Sequence, residues 1–259
     1  MCVIKAIFFD VDGTLVPSGT NTIQPDVMAA LNRLRAQGVA LFLSTGRHMT
    51  MLDEIRAQFE FDGYVSVNGQ YCLYHGRPVY RNPIPRQGME ALVAAMERHG
   101  FSGMFLEGES CWVNVLDGPA RAFLEEFHVA TPPVCPLSRG LEGEVYQVIV
   151  MLSPDREHLL PHCPHSLSGV RWHPGFVDAM PPNGGKDTGI GQVLAHLGLD
   201  REQAMAFGDG ENDISMLRCV GTGVAMGNAS APVKAAADYV TGPVDQGGLC
   251  AALRHFGVI

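Results

Sequence analysis

The stretch that most constrains this chain is Ile7-Phe8-Phe9-Asp10-Val11-Asp12-Gly13-Thr14-Leu15, close to its start. Residues 3–9 are apolar apart from Lys5, a run that reads as a strand buried on both faces. It stops abruptly at two aspartates and a glycine. Residues two apart in an extended chain point the same way, so Asp10 and Asp12 can address one site. Gly13 lets the backbone turn as the strand ends. Open α/β sheets hold their ligands beyond the carboxyl ends of their strands, which is where both carboxylates would stand.

The same grammar recurs. Residues 23–37 read as a helix, with Val27, Leu31 and Leu34 at helical spacing and Gly38 placed as a C-cap. Residues 39–43 read as a second buried strand, ending in Ser44-Thr45-Gly46-Arg47. The spacing predicts one helix over 48–59 and a third strand over 63–67, ending in Asn68-Gly69. Strand and helix alternating on short connections specify a parallel α/β sheet. Proline-containing punctuation then appears at Asn82-Pro83-Ile84-Pro85 and again at Met180-Pro181-Pro182-Asn183. Between them the pattern predicts helices over 86–99, 119–127 and 155–160. Strands are predicted over 103–107, 110–116, 145–152, 170–172 and 176–179. Hairpins with helices point to an α+β module, 83–180, inserted into a core made of 1–82 and 181–259.

Past that point the alternation resumes. A helix is predicted over 186–197, then a buried strand over 204–207 that ends in Gly208-Asp209-Gly210-Glu211-Asn212-Asp213. A helix (214–218), a strand (223–226) and a helix (231–237) follow.

A formal net charge of −9 and the lack of any Lys/Arg run exclude a general nucleic-acid surface. An anionic substrate would have to be held by a few placed cations and a metal. Seven cysteines, at 2, 72, 111, 135, 163, 219 and 250, form no CxxC pair and suit a reducing compartment. The first strand begins too early for a signal peptide, and no apolar run reaches the roughly 20 residues that span a membrane. The expected location is cytoplasmic; the oligomeric state is not legible.

Asp10 and Asp12, Thr45-Gly46, Lys186, and Asp209 and Asp213 all follow strands or open a helix, so a parallel sheet would gather them along one edge. Each pair of carboxylates about 4 Å apart, at an effective dielectric near 20, costs roughly 4 kcal/mol. A divalent cation, a proton or both must offset this. An oxygen-only ligand set points to Mg2+. A hydroxyl, a lysine and backbone amides around such an ion cradle a phosphoryl group, which one carboxylate can attack while its neighbour protonates the leaving oxygen.

Asp10-Val11-Asp12-Gly13-Thr14, Leu43-Ser44-Thr45-Gly46-Arg47, Gly185-Lys186 and Gly208-Asp209-Gly210-Glu211-Asn212-Asp213 resemble, in order, the four motifs of the haloacid dehalogenase superfamily. Gly223-Val224-Ala225-Met226-Gly227-Asn228-Ala229 and Asn68-Gly69 are similar to those of its Cof-type phosphatases. The resemblance implies a Rossmann-like parallel-sheet core with an inserted α+β cap that selects the substrate. It implies a magnesium-dependent phosphatase acting on a small phosphorylated metabolite, a sugar phosphate or nucleotide-related phosphate, with no nucleic-acid or membrane partner. A phosphomutase of the same superfamily and a sensor of a phosphorylated ligand are the alternatives.

By the same resemblance, Asp10 is the nucleophile. Asp12 is general acid and then base, and its backbone carbonyl binds the metal. Thr45 and Lys186 hold the phosphoryl oxygens, Asp209 binds magnesium, and Asp213 binds it or orients Lys186 or the metal's waters. Arg47, Asn68 and Asn212 are expected contacts to phosphate or substrate. Within the cap, Trp112 and Asn114 share one face of a strand: either both contact the substrate, or Trp112 belongs to the core and Asn114 to the surface. His158, His162, Cys163, His165 and His173 are read as a solvated loop, since Pro161 and Pro164 break any helix that would align them.

Overall fold

Ala6–Phe9 is buried along its whole length, and the larger sheet is laid out on either side of it. The structure is a computed structural model that describes residues 3–259; Cys2 lies outside the described residues. The chain divides into two compact units. One comprises Met1–Arg47, Leu52–Arg81 and Gly184–Ile259, the other His48–Met51 and Asn82–Asn183.

The first unit runs β1 (Ala6–Phe9), α1 (Pro25–Ala36), β2 (Ala40–Ser44), α2 (Asp53–Gln58), β3 (Gly63–Ser66), β4 (Tyr71–Tyr74) and β5 (Arg77–Arg81). The second contains α3 (Arg86–His99), β6 (Gly103–Leu106), β7 (Cys111–Val113), α4 (Gly118–Glu126), β8 (Gln147–Val150), β9 (Ser168–His173) and β10 (Phe176–Met180). The first then resumes with α5 (Lys186–Leu197), β11 (Ala204–Gly208), α6 (Ile214–Cys219), β12 (Thr222–Ala225), α7 (Ala231–Ala236), β13 (Tyr239–Val240) and α8 (Gly248–His255).

Among the described residues the first unit's sheet has eight strands in the order β13-β12-β11-β1-β2-β3-β4-β5. The pairs from β13 through β3 are parallel, and β4 and β5 close the far side antiparallel. Chain order leaves β1 in one direction through β2 and β3, and in the other through β11, β12 and β13. The β1/β11 boundary is therefore the topological switch point, where such sheets bind ligands. Phe8, Phe42, Val65, Ile190, Val193, Ala206 and Met216 are fully buried in one core cluster of this unit.

In the second unit a five-stranded sheet, order β7-β6-β8-β10-β9, is antiparallel throughout. Met89, Leu92, Val93 and Met96 of α3 pack in one cluster with Phe105, Trp112, Val148, Val150 and Ala179 of the sheet. The apolar stripe of the helix thus covers one sheet face.

Two sequence expectations need correction. The single helix over 48–59 is two pieces, a turn at Met49–Met51 and then α2. Leu52 between them has φ −107° and ψ 0°, which halts helical propagation. The buried His48 spends its ring nitrogens on the Thr50 hydroxyl and the Glu107 carbonyl. The strands β4 and β5 were not foreseen. Pro78 lies in β5, the edge of the sheet, where a missing N–H is tolerated.

Candidate active site

Register decides which groups share the sheet edge. Phe9 is paired with Leu43 on one side and Phe207 on the other, and the Asp10 N–H donates to the Phe207 carbonyl at 2.9 Å. The next residues along, Asp10, Ser44-Thr45 and Gly208-Asp209, therefore leave three adjacent strands at one level. Gly13 has φ +79°, and a side chain there would run into the Asp209 carboxylate. Glycine is what lets the turn after β1 close against the end of β11.

Lys186, the first residue of α5, is 1 % exposed. Its Nζ donates to Asp10 Oδ1 at 2.6 Å and to Asp213 Oδ1 at 2.5 Å. Burial alone would lower its pKa, but Asp10 and Asp213 more than offset this and hold it above the usual lysine range. Asp213 is wholly buried, and its Oδ2 accepts the N–H groups of Asp209 and Gly210, both at 2.9 Å. One carboxylate thus shapes the turn after β11 and anchors the lysine. Burial, reinforced by the charge of Asp213, pushes the Asp10 carboxyl above the ordinary carboxylate range, and Lys186 opposes that rise. Burial raises Asp209 as well. The site is short of positive charge.

The oxygens of Asp10, Asp209 and Asp213 all come within 4.8 Å of one another. With Asp12 there are four carboxylates, against the ion-paired cations Lys186 and Arg47. An all-oxygen set with two uncompensated negative charges fits a hard divalent cation. Asp209 is oriented by two residues that motif reading gave no such role. Thr14 Oγ1 donates to its Oδ1 at 2.8 Å, and Asn228 Nδ2 donates to its Oδ2 at 3.1 Å and to the Gly13 carbonyl at 2.9 Å. Both residues stand inside stretches that carry the resemblance, but partners 195 and 19 positions away leave no periodic signal.

Arg47 lies on Asp12. Its Nε and Nη2 donate to Asp12 Oδ2 and Oδ1 at 2.8 and 2.6 Å, the paired fork that guanidinium and carboxylate favour. Thr45 is buried, its Oγ1 accepts the Arg47 N–H at 3.0 Å, and its carbonyl accepts the Asn68 N–H at 3.0 Å. Asn68 is left-handed, at φ 51° and ψ 38°, and its Oδ1 accepts Asn212 Nδ2 at 3.0 Å. A side chain at Gly46 would sit 3.3 Å from the Asn68 amide. Asp10, Asp12, Thr45, Arg47, Asn68, Lys186, Asp209, Asn212 and Asp213 are thus all in the first unit, each tied to another residue of the set.

Trp112 and Asn114 are not a substrate-facing pair. Trp112 is 0 % exposed, stacks on Phe105 with centroids 3.9 Å apart, and donates its indole N–H to Glu107 at 2.8 Å. Asn114 is spent on the neighbouring strand, accepting the Gly103 N–H at 2.8 Å and donating to the Phe101 carbonyl at 3.4 Å. The face they share is the one α3 covers, so both hold the second unit together. His158, His162 and His165 are exposed. Among the described residues the Asp10, Asp209 and Asp213 group is where metal-ligating atoms converge.

The chain is 31% identical to the protein named putative phosphatase YkrA of Bacillus subtilis (strain 168), over 98% of both chains. It is 29% identical to pyridoxal phosphate phosphatase YbhA of Escherichia coli (strain K12), over 92% of this chain and 93% of that one. Among solved structures it is similar to the HAD subclass IIB sugar phosphatase BT4131, with a TM-score of 0.84 and 36% identity over 98% of this chain and 100% of that one. Residues 7–253 match the family described as haloacid dehalogenase-like hydrolase. That span takes in both halves of the sheet and everything between them, so the chain belongs to the haloacid dehalogenase-like hydrolases and is a phosphatase among them.

Proposed function

We propose that this phosphatase is magnesium-dependent and hydrolyses a small phosphorylated metabolite, a sugar phosphate or a nucleotide-related phosphate, through an aspartyl-phosphate on Asp10. The observation that carries the reading is the state of Asp10. Its Oδ1 is held by the Lys186 ammonium at 2.6 Å, while its Oδ2 takes no protein hydrogen bond among the described residues. One oxygen is fixed and the other is available to a reacting atom.

Asp10 attacks phosphorus as the ester oxygen leaves with the bonding pair, and Asp12 gives that oxygen its proton. Asp12 then takes a proton from the water whose oxygen displaces Asp10 from phosphorus, which frees phosphate and restores both carboxyl groups. Thr45 and Lys186 hold the phosphoryl oxygens, with Asn68 and Asn212 at the substrate side. Asp10, Asp209, Asp213 and the Asp12 backbone carbonyl are the residues to hold the cation. When bound, Mg2+ supplies positive charge against the crowded carboxylates and the phosphoryl oxygens. Residues 1–82 and 181–259 form the catalytic part, and 83–180 choose the substrate. The names of the relatives, a pyridoxal phosphate phosphatase and a sugar phosphatase, support a compact metabolite as the class.

The test is turnover of p-nitrophenyl phosphate with magnesium, followed by a panel of phosphorylated metabolites. A chain that binds these esters and releases no phosphate would overturn the reading.

A further inference from the structure

Asn21 lies in the loop between β1 and α1, outside every motif described above. Its side-chain oxygen accepts Arg47 Nη1 at 2.7 Å, and its amide nitrogen donates to Glu54 of α2 at 2.8 Å. The amide orientation is unambiguous, because the reverse would press an NH2 group against a guanidinium and an oxygen against a carboxylate. The backbone around it is fixed by one glutamine. Gln58 Nε2 donates to the Asn21 carbonyl at 2.6 Å, and Gln58 Oε1 accepts the Ile23 N–H at 3.0 Å. Helix α2 therefore grips the loop twice, through Glu54 and Gln58.

The remaining guanidinium nitrogens of Arg47 take both oxygens of Asp12. A row of alternating partners thus runs from Glu54 through Asn21 and Arg47 to Asp12. Each Asp12 oxygen keeps a second lone pair, so the fork fixes the plane of the carboxylate without closing it to a reacting group. Arginine suits this place because a planar fork sets direction, which a lysine ammonium does not.

We propose that Asn21 is a positioning residue: it aims Arg47, and Arg47 aims the Asp12 carboxylate. The inference rests on the reading of Asp12 as the proton-transfer group. It assigns Arg47 to Asp12 and not to the phosphate.

The experiment is a double-mutant cycle between Asn21→Leu and Asp12→Asn, with the pair Asn21→Asp and Glu54→Gln as the conservative variant and inorganic phosphate as the probe of anion binding. Misplacing a catalytic group by a fraction of an ångström lowers kcat, so Asn21→Leu should cost about tenfold. It should leave inhibition by inorganic phosphate within about twofold, since positioning spares the anion site. Asn21→Asp combined with Glu54→Gln, which keeps the acceptor for Arg47 and gives the new oxygen an amide donor in place of a carboxylate, should recover most of the lost rate. In the Asp12→Asn background the Asn21→Leu change should cost less than about twofold, because its target is gone. The inference is overturned by an undiminished kcat in Asn21→Leu, by the same tenfold loss in both backgrounds, or by a parallel weakening of phosphate inhibition. An Asp12→Asn enzyme that keeps its full rate would instead remove Asp12 from proton transfer, and the inference would fall with it.

Discussion

Lys186 Nζ meets Asp10 Oδ1 at 2.6 Å across 176 positions of sequence. The lysine and the aspartate are both buried, so neither charge has water to fall back on. Each is tenable because of the other, and Asp213 on the far side of the ammonium makes the aspartates outnumber it.

Asp10→Asn removes one negative charge from this crowd while keeping the shape. Turnover should fall by more than about 10³-fold, as expected when a nucleophile is lost. The melting temperature in chelator should stay level or rise, since burial disfavours the ionised Asp10. A variant with a tenth of the original activity would exclude the covalent route.

Chelation should abolish activity and magnesium should restore it, with calcium binding but failing to do so because its larger, looser shell spoils in-line geometry. Thr14 supplies the hydroxyl that orients Asp209. Thr14→Val should therefore raise the magnesium needed for half-maximal activity by about 10- to 100-fold. Unchanged magnesium dependence in that variant would show that Asp209 needs no such support.

Asp178 carries a pH dependence of stability in the second unit. Burial pushes its carboxyl up to about 6 from 3.8, against the opposing hydrogen bond from Trp172. Trp172 Nε1 donates to Oδ2 at 2.7 Å, and Oδ1 has no partner among the described residues. The folded chain holds this proton more tightly than the unfolded one, so stability falls as pH rises from about 4 to about 6 and is level outside that window. Asp178→Asn should flatten this segment of a melting-temperature profile. A profile that keeps its slope would assign it to another group.

Trp112→Ala opens a cavity against Phe105 and orphans part of Glu107, a loss of about 3–5 kcal/mol. Thermal unfolding should show it as a large drop in melting temperature. Surviving enzyme should turn over good and poor substrates in the same ratio as before. A change in that ratio at full stability would return Trp112 to the substrate.

The sheet edge was legible because three of the four motifs follow a buried apolar run whose length and order specify a parallel strand, and the fourth opens a helix. Asp10, Thr45 and Asp209 are then brought level by register alone. Trp112 shows where this stops. Alternation tells that Trp112 and Asn114 share a face, but which face a helix covers depends on α3, whose stripe lies in another stretch of sequence. Residues 48–59 show a second limit, since helical spacing survives in a segment whose first residues are held by His48 instead. Thr14, Asn21 and Asn228 escaped for a third reason: each acts through isolated hydrogen bonds to other stretches of the chain, and isolated bonds have no period.

The pairing of β1 with β11 has a consequence for the chain as it is made. Ala6–Phe9 leaves the ribosome roughly 10–40 s before its partner Ala204–Gly208 at ordinary elongation rates. Through that interval the most apolar strand of the larger sheet has an open edge, a template for the wrong partner. Asp209 and Asp213 arrive directly behind β11. The nascent chain therefore gains the strand partner of β1 and the carboxylates that crowd around Asp10 together, and a ribosome stalled before Asp213 carries a chain whose acidic cluster is incomplete.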